Sequence, residues 1–202
     1  MKYTWLIDAG HGGTDDQGNY LTAPAKMFKH SDNEIFYEGV FNRKIKDSLI
    51  SALWERGILA IDTCPTELDL SLKVRVNMIN AIYEEYRNAV LISLHSNAGG
   101  GTGFEVWTSF GQTRSDKFAE ILYNQFGSDF QGIKMRKDTS DGDHDKEAAF
   151  YILKYSRCPA VLPECLFYDN YQDYQKLVDP IFQARYVDTL IRFILKAETK
   201  NI

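Results

Sequence analysis

Residues 3–13 read Tyr3-Thr4-Trp5-Leu6-Ile7-Asp8-Ala9-Gly10-His11-Gly12-Gly13, an apolar run that stops at a histidine set between glycines. Aromatic and β-branched residues from Tyr3 to Asp8 have the length and composition of a buried strand. The glycines strip side chains from the turn that follows, so a ligand can approach the backbone there. Ser93-Leu94-His95-Ser96-Asn97-Ala98 repeats the arrangement at the end of the apolar run Ala89 to His95. In an open α/β sheet the binding crevice lies beyond the carboxyl ends of the strands. His11 and His95 can therefore converge although 84 positions (95 − 11) separate them.

Further strand-like runs cover Ile58 to Asp62, Phe104 to Ser109 and Ala160 to Glu164, with helical spacing between most of them. Phe41, Ile45, Leu49 and Leu53 recur every fourth residue and predict a helix from about Tyr37 to Arg56, ended by Gly57. A second helix follows Asp69 or Ser71 as cap, with Leu70, Val74, Met78 and Ile82 expected on its inner face. A third spans about Thr113 to Phe126, and a last runs from about Ile181 to Ala197 behind Pro180. This alternation predicts an α/β fold, a mostly parallel twisted sheet with helices on both faces. Gln17 to Asn33 and Asp138 to Lys146 are polar and weakly periodic, and read as surface loops.

A chain of 202 residues, 44% hydrophobic, can bury one core, so residues 1–202 are expected to form a single domain. A net charge of −5 without a basic run argues against nucleic acid as a partner. Cys64, Cys158 and Cys165 are odd in number and lack CxxC spacing, which points to buried thiols and not to disulfides or a thiolate zinc knot. No run approaches the ~20 apolar residues of a membrane span, and no signal peptide precedes the first strand. A monomer is expected.

A catalytic zinc takes three ligands from His, Asp and Glu and keeps a fourth position for water. His11 and His95 need one carboxylate more. Glu38 begins the first helix in register with Phe41, Asn42 and Ile45, so it shares the inward face; Glu34 shares it only if the helix starts earlier. Glu164, within Ala-Val-Leu-Pro-Glu-Cys-Leu-Phe, is costly to bury without a partner, which marks it as a candidate functional residue. His30 and His144 lie in the polar loops, where a solvated histidine is the default, with His144 also a candidate for a substrate contact. Asn97 and Asn170 are expected to cap turns. Gly99 to Gly103 lacks the Gly-Lys-Ser/Thr ending of a phosphate loop.

Asp8-Ala9-Gly10-His11-Gly12-Gly13, Ser93 to Ala98 and Glu164 to Asn170 resemble, in that order, three motifs of the zinc-dependent N-acetylmuramoyl-L-alanine amidases. Leu70-Ser71-Leu72-Lys73-Val74-Arg75 and Cys158 to Leu162 are similar to the segments between them. The resemblance runs nearly end to end. It implies one Zn2+ held by His11, Glu38 and His95, with Glu164 as catalytic carboxylate and peptidoglycan as substrate. Ala9 and Leu166 stand where the family has proline and glycine. The 27 positions (38 − 11) between His11 and Glu38 imply an inserted loop across Gln17 to Tyr37. Lys134, Arg136 and Lys137 are candidates for stem-peptide carboxylates or, as a surface group, for a solvated face. Action on the wall without a signal peptide implies phage-type release or a trimmed export segment. Alternatives are a zinc peptidase or deacetylase on the same ligands, or a metal-free wall-binding module.

Overall fold

A computed structural model describes residues 1–200 and 202. Its centre is a six-stranded sheet built from β1 (Thr4–Ala9), β4 (Ala60–Asp62), β5 (Ala89–Asn97), β6 (Phe104–Thr108), β7 (Lys146–Glu147) and β8 (Ala160–Phe167), in the order β4-β1-β5-β8-β6-β7. Neighbours run parallel except β6 and β8, which are antiparallel. Alternate residues of the central strands face opposite layers. Trp5, Ile7, Val90 and Ile92 pack with α1 (Glu38–Trp54), α3 (Arg114–Asp129) and α6 (Pro180–Thr199). Leu6 and Leu91 pack with α2 (Leu72–Glu85) and α4 (Tyr151–Tyr155). The α/β fold with both faces covered is thus as the sequence implies, and α5 (Tyr171–Leu177) completes it.

Phe41, Ile45, Leu49 and Leu53 are all buried, and Gly57 leaves α1 at φ +67°. Trp5, wholly buried, makes edge contacts with Phe118 and Phe193 and donates from Nε1 to Glu198 Oε1 at 3.0 Å, fastening α6 to the first strand. All three cysteines are buried and free. Among the described residues no helix is long and apolar enough to cross a membrane.

Three local expectations are corrected. Ser71 caps α2, but the buried side of that helix is Arg75, Val76 and Ile79, while Val74 is exposed and Leu72 half exposed. The apolar spacing misled because a buried arginine belongs to the inner face. Residues 17–33 are not all loop: β2 (Met27–Ser31) pairs antiparallel with β3 (Glu34–Tyr37), Phe28 opposite Phe36. His30 is not simply solvated. Its Nε2 lies 2.8 Å from the Tyr168 carbonyl, and its ring packs against Phe28, Tyr171 and Tyr174.

Leu166 is fully buried at φ +61°, at the position where the related motif carries glycine. The β5–β8 register passes from His95↔Glu164 to Asn97↔Phe167, so β8 spends one extra residue there. Such a bulge re-aims neighbouring side chains. A left-handed residue with a Cβ costs ~1–2 kcal/mol, whereas glycine adopts that backbone freely. Leu166→Ala removes the buried contacts and keeps the strain; Leu166→Gly removes the same contacts and releases it. Urea unfolding is expected to show both variants destabilised, Leu166→Gly by about 1 kcal/mol less than Leu166→Ala. A glycine variant no more stable than the alanine one contradicts this account.

Candidate metal centre

His11 leaves the end of β1 in the left-handed region, at φ +68°, conformational strain of a kind that persists only where surrounding bonds fix it. They do so here. The His11 carbonyl accepts from Arg43 Nη1 at 2.6 Å and Arg75 Nη2 at 2.7 Å, and the Ala9 carbonyl accepts from Arg75 Nη1 at 2.6 Å. Arg75 also pairs with Asp8, buried beneath the turn, at 2.8 Å, and Ser93 donates to the other Asp8 oxygen. Asn42 Nδ2 donates to the Gly10 carbonyl at 3.2 Å, and the Gly12 amide donates to Thr22 Oγ1 at 2.8 Å.

The glycines are required by close approach. A Cβ on Gly10 would lie 2.2 Å from the His95 ring, and one on Gly39 would lie 1.8 Å from the Gly12 carbonyl oxygen. The first turn of α1 is thereby pressed against the His11 turn. Glu38 enters between the two imidazoles, its Oε1 3.3 Å from His11 Nε2 and 3.0 Å from His95 Nδ1. Glu38 is 1% exposed. The two rings stand edge to face, centroids 5.1 Å apart. One ligand atom from each of the three residues lies within 4.8 Å of the others. Two nitrogens and a carboxylate at that spacing can hold a metal ion. Glu34, the competing carboxylate, sits on β3 and bonds Tyr171 and Ser31 instead.

The electrostatics agree. Burial opposes ionisation of Glu38, but the close approach of His11 and the bond from His95 outweigh it and hold the carboxyl at about 2. Burial also opposes charge on His95, yet the bond to Glu38 and the nearby carboxylates raise its pKa. His11 Nε2 and Glu38 Oε2 are buried without a hydrogen-bond partner, as open ligand positions are.

Glu164 lies beside His95 in register on the neighbouring strand. His11, His95 and Glu164 share a cleft of about 240 Å³ with Lys26, Phe150 and Tyr151. Burial foremost, with further push from Glu38 and Glu105, raises Glu164 to about 8, and its Oε2 has no partner. The sequence reading missed Glu105, opposite Glu164 on β6 and 2% exposed. It accepts from Asn97, Trp107, Arg136 and Lys146. An acid within Phe-Glu-Val-Trp-Thr was the available signal, the same one that marked Glu164. Arg136 is therefore committed to Glu105 and not free for a substrate carboxylate, while Lys134 and Lys137 are exposed. Asn97 likewise serves Glu105, whereas Asn170 caps α5 as expected. His144 pairs with Glu120 and stacks on Tyr123, outside the cleft.

Gly10→Ala must displace the His95 ring. The variant is expected to fold but to retain at least about tenfold less metal after dialysis than the parent chain, as with other losses of ligand support. Metal analysis of the dialysed protein checks this, and full occupancy would contradict it.

The sequence family described as N-acetylmuramoyl-L-alanine amidase matches residues 6–196. An uncharacterized protein of Bacillus subtilis, YqiI, is 27% identical over 193 residues, 95% of this chain and 82% of its own length. The N-acetylmuramoyl-L-alanine amidase CwlM of Bacillus licheniformis is 26% identical over 88% of this chain, which spans 61% of that protein. The crystal structure of an N-acetylmuramoyl-L-alanine amidase from Clostridium difficile 630 superposes with a TM-score of 0.79 at 26% identity, covering 98% of both chains. With nearly its whole length matched, the chain belongs to the N-acetylmuramoyl-L-alanine amidase family.

Proposed function

We propose that residues 1–202 act as one catalytic domain that uses a single zinc ion, held by His11, Glu38 and His95, to hydrolyse the amide between the lactyl group of N-acetylmuramic acid and L-alanine of the peptidoglycan stem peptide. The observation that carries this reading is the buried Glu38 between two histidines, with a partnerless Glu164 across the same cleft. The donor set is that of a catalytic zinc with a position left for water. A zinc ion held there would polarise a carbonyl and acidify a water at neutral pH.

The chain's own groups do the remaining work. The Arg43 and Arg75 bonds fix the His11 carbonyl, and Gly10 and Gly39 let His95 and the start of α1 approach closely, so the ligand geometry is preorganised. Glu164 takes a proton from the attacking water and passes it to the leaving amine nitrogen. A dication among its neighbours favours the ionised form that a proton acceptor requires. Phe150 and Tyr151 line the cleft and offer apolar surface to a substrate. The substrate lies in the cell wall, so the enzyme acts outside the membrane, and it does so as a monomer.

Digestion of purified muropeptides, with and without a chelator, tests the assignment. Free stem peptide released only without chelator is the expected result; cleavage within the peptide supports the peptidase alternative, and released acetate the deacetylase. No metal-dependent hydrolysis at all supports a wall-binding module. Glu164→Gln is expected to keep its zinc and lose at least about 10²-fold in kcat. An active Glu164→Gln enzyme would remove Glu164 from the mechanism. His11→Ala is expected to lose the zinc itself, measured as metal content of the purified variant, which separates ligand from proton carrier.

A further inference from the structure

The charged segment Asp138 to Lys146 contributes nothing to the metal centre, yet its carboxylates are arranged. Asp141, Asp143 and Asp145 alternate along it, the spacing at which short loops present oxygens to calcium. Asp145 is 2% exposed. Its Oδ2 accepts from the Thr108 hydroxyl at 2.5 Å, while its Oδ1 is buried without a partner. Asp143 lies within hydrogen-bonding range of Asp145, and its Oδ1 is also buried and partnerless. Asp116, engaged with Thr113 in the capping box of α3, adds a third negative charge to both.

No basic side chain among the described residues neutralises these carboxylates directly, although Arg114 and Lys117 line the cavity beside Asp116 and Asp143. Among the described residues none of Asp116, Asp143 and Asp145 forms an ion pair with a basic side chain. The basic side chains on either side of Asp145 are engaged elsewhere, His144 with Glu120 and Lys146 with Glu105. Burial, reinforced by Asp143, pushes Asp145 up to about 7. A buried carboxylate pair of this kind is relieved either by a shared proton or by a bound cation. Asp143 and Asp116 also line an open cavity of about 600 Å³, which gives an ion a way in.

We propose that Asp143 and Asp145, backed by Thr108 and Asp116, form a second cation site that takes a hard divalent ion, calcium or magnesium. Carboxylate and hydroxyl oxygens without imidazole or thiolate suit such an ion better than zinc. The site is separate from the metal centre. On β6, Glu105 faces Glu164, and Thr108 lies three residues further, about 10 Å along the strand toward the opposite rim. The two are connected through the chain nonetheless. Lys146, next to Asp145, bonds Glu105 at 3.0 Å, and Phe150 and Tyr151 a few residues on line the catalytic cleft. An ion at Asp143 and Asp145 pins the start of that segment.

Thermal unfolding of the zinc-saturated chain, first freed of calcium and magnesium, tests the site, because occupied zinc ligands leave the added ion nothing to gain there. About 10 mM calcium chloride or magnesium chloride is expected to raise Tm by about 5 °C in the parent chain and by less than about 1 °C in Asp145→Asn. Asp143→Asn, at a half-buried position, provides the same test if Asp145→Asn does not fold. A Tm that responds to neither salt indicates a shared proton and overturns the proposal. So does a response that persists in the folded aspartate variants, which places the ion elsewhere.

Discussion

The candidate metal centre depends on the approach of two backbones that carry no side chains where they meet. Gly39 sits against Gly12 so closely that a single Cβ would overlap the Gly12 carbonyl. That contact sets the depth at which α1 begins, and the residue before Gly39 is Glu38. A wider gap would draw the carboxylate away from both imidazoles and leave each histidine as an ordinary strand-end residue. The Tyr20 hydroxyl accepts from the Gly39 amide at 3.0 Å, and the Lys26 carbonyl accepts from the Glu38 amide at 3.0 Å. The long segment before the helix thus satisfies amides at its N-terminus that no intrahelical bond can reach.

The strained turn at His11 is supported from the other side of the sheet. Arg75 belongs to α2, and its guanidinium bridges Asp8, the Ala9 carbonyl and the His11 carbonyl. A planar fork with five donors can do this; a lysine cannot. The pair with Asp8 is buried, so neither member can be removed without leaving a desolvated charge. Burial of an arginine on the inner face of α2 therefore supports the candidate metal site, although it touches none of the side chains proposed as ligands.

The repeated strand-then-histidine pattern was legible in the sequence because it is local: apolar composition and adjacent glycines suffice. The inner face of α1 was legible for the same reason, through Phe41, Ile45, Leu49 and Leu53. What required three dimensions was the partner of each supporting side chain around those histidines. Arg75 reads as a polar interruption of α2 until Asp8 is seen beneath it. His30 reads as a loop residue until Tyr168 and Tyr174 surround it. The choice between Glu34 and Glu38 turned on where α1 begins, and helix starts are poorly marked when the residue before them, here Tyr37, offers no capping side chain.

Glu105 and Glu164 face each other across β6 and β8, both nearly removed from solvent, and their surroundings drive them apart. Burial opposes ionisation of Glu105, but bonds from Arg136 and Lys146 outweigh it and hold its pKa low. Glu164 has no such bonds, and the charge on Glu105 adds to the effect of burial in raising it. Adjacent carboxyls pushed in opposite directions divide the work, one staying ionised and the other free to gain and lose a proton. The division rests on the cations being committed to one member. In the proposed mechanism Arg136 and Lys146 therefore matter by bonding Glu105 and leaving Glu164 alone, which a search for residues that touch the substrate would overlook.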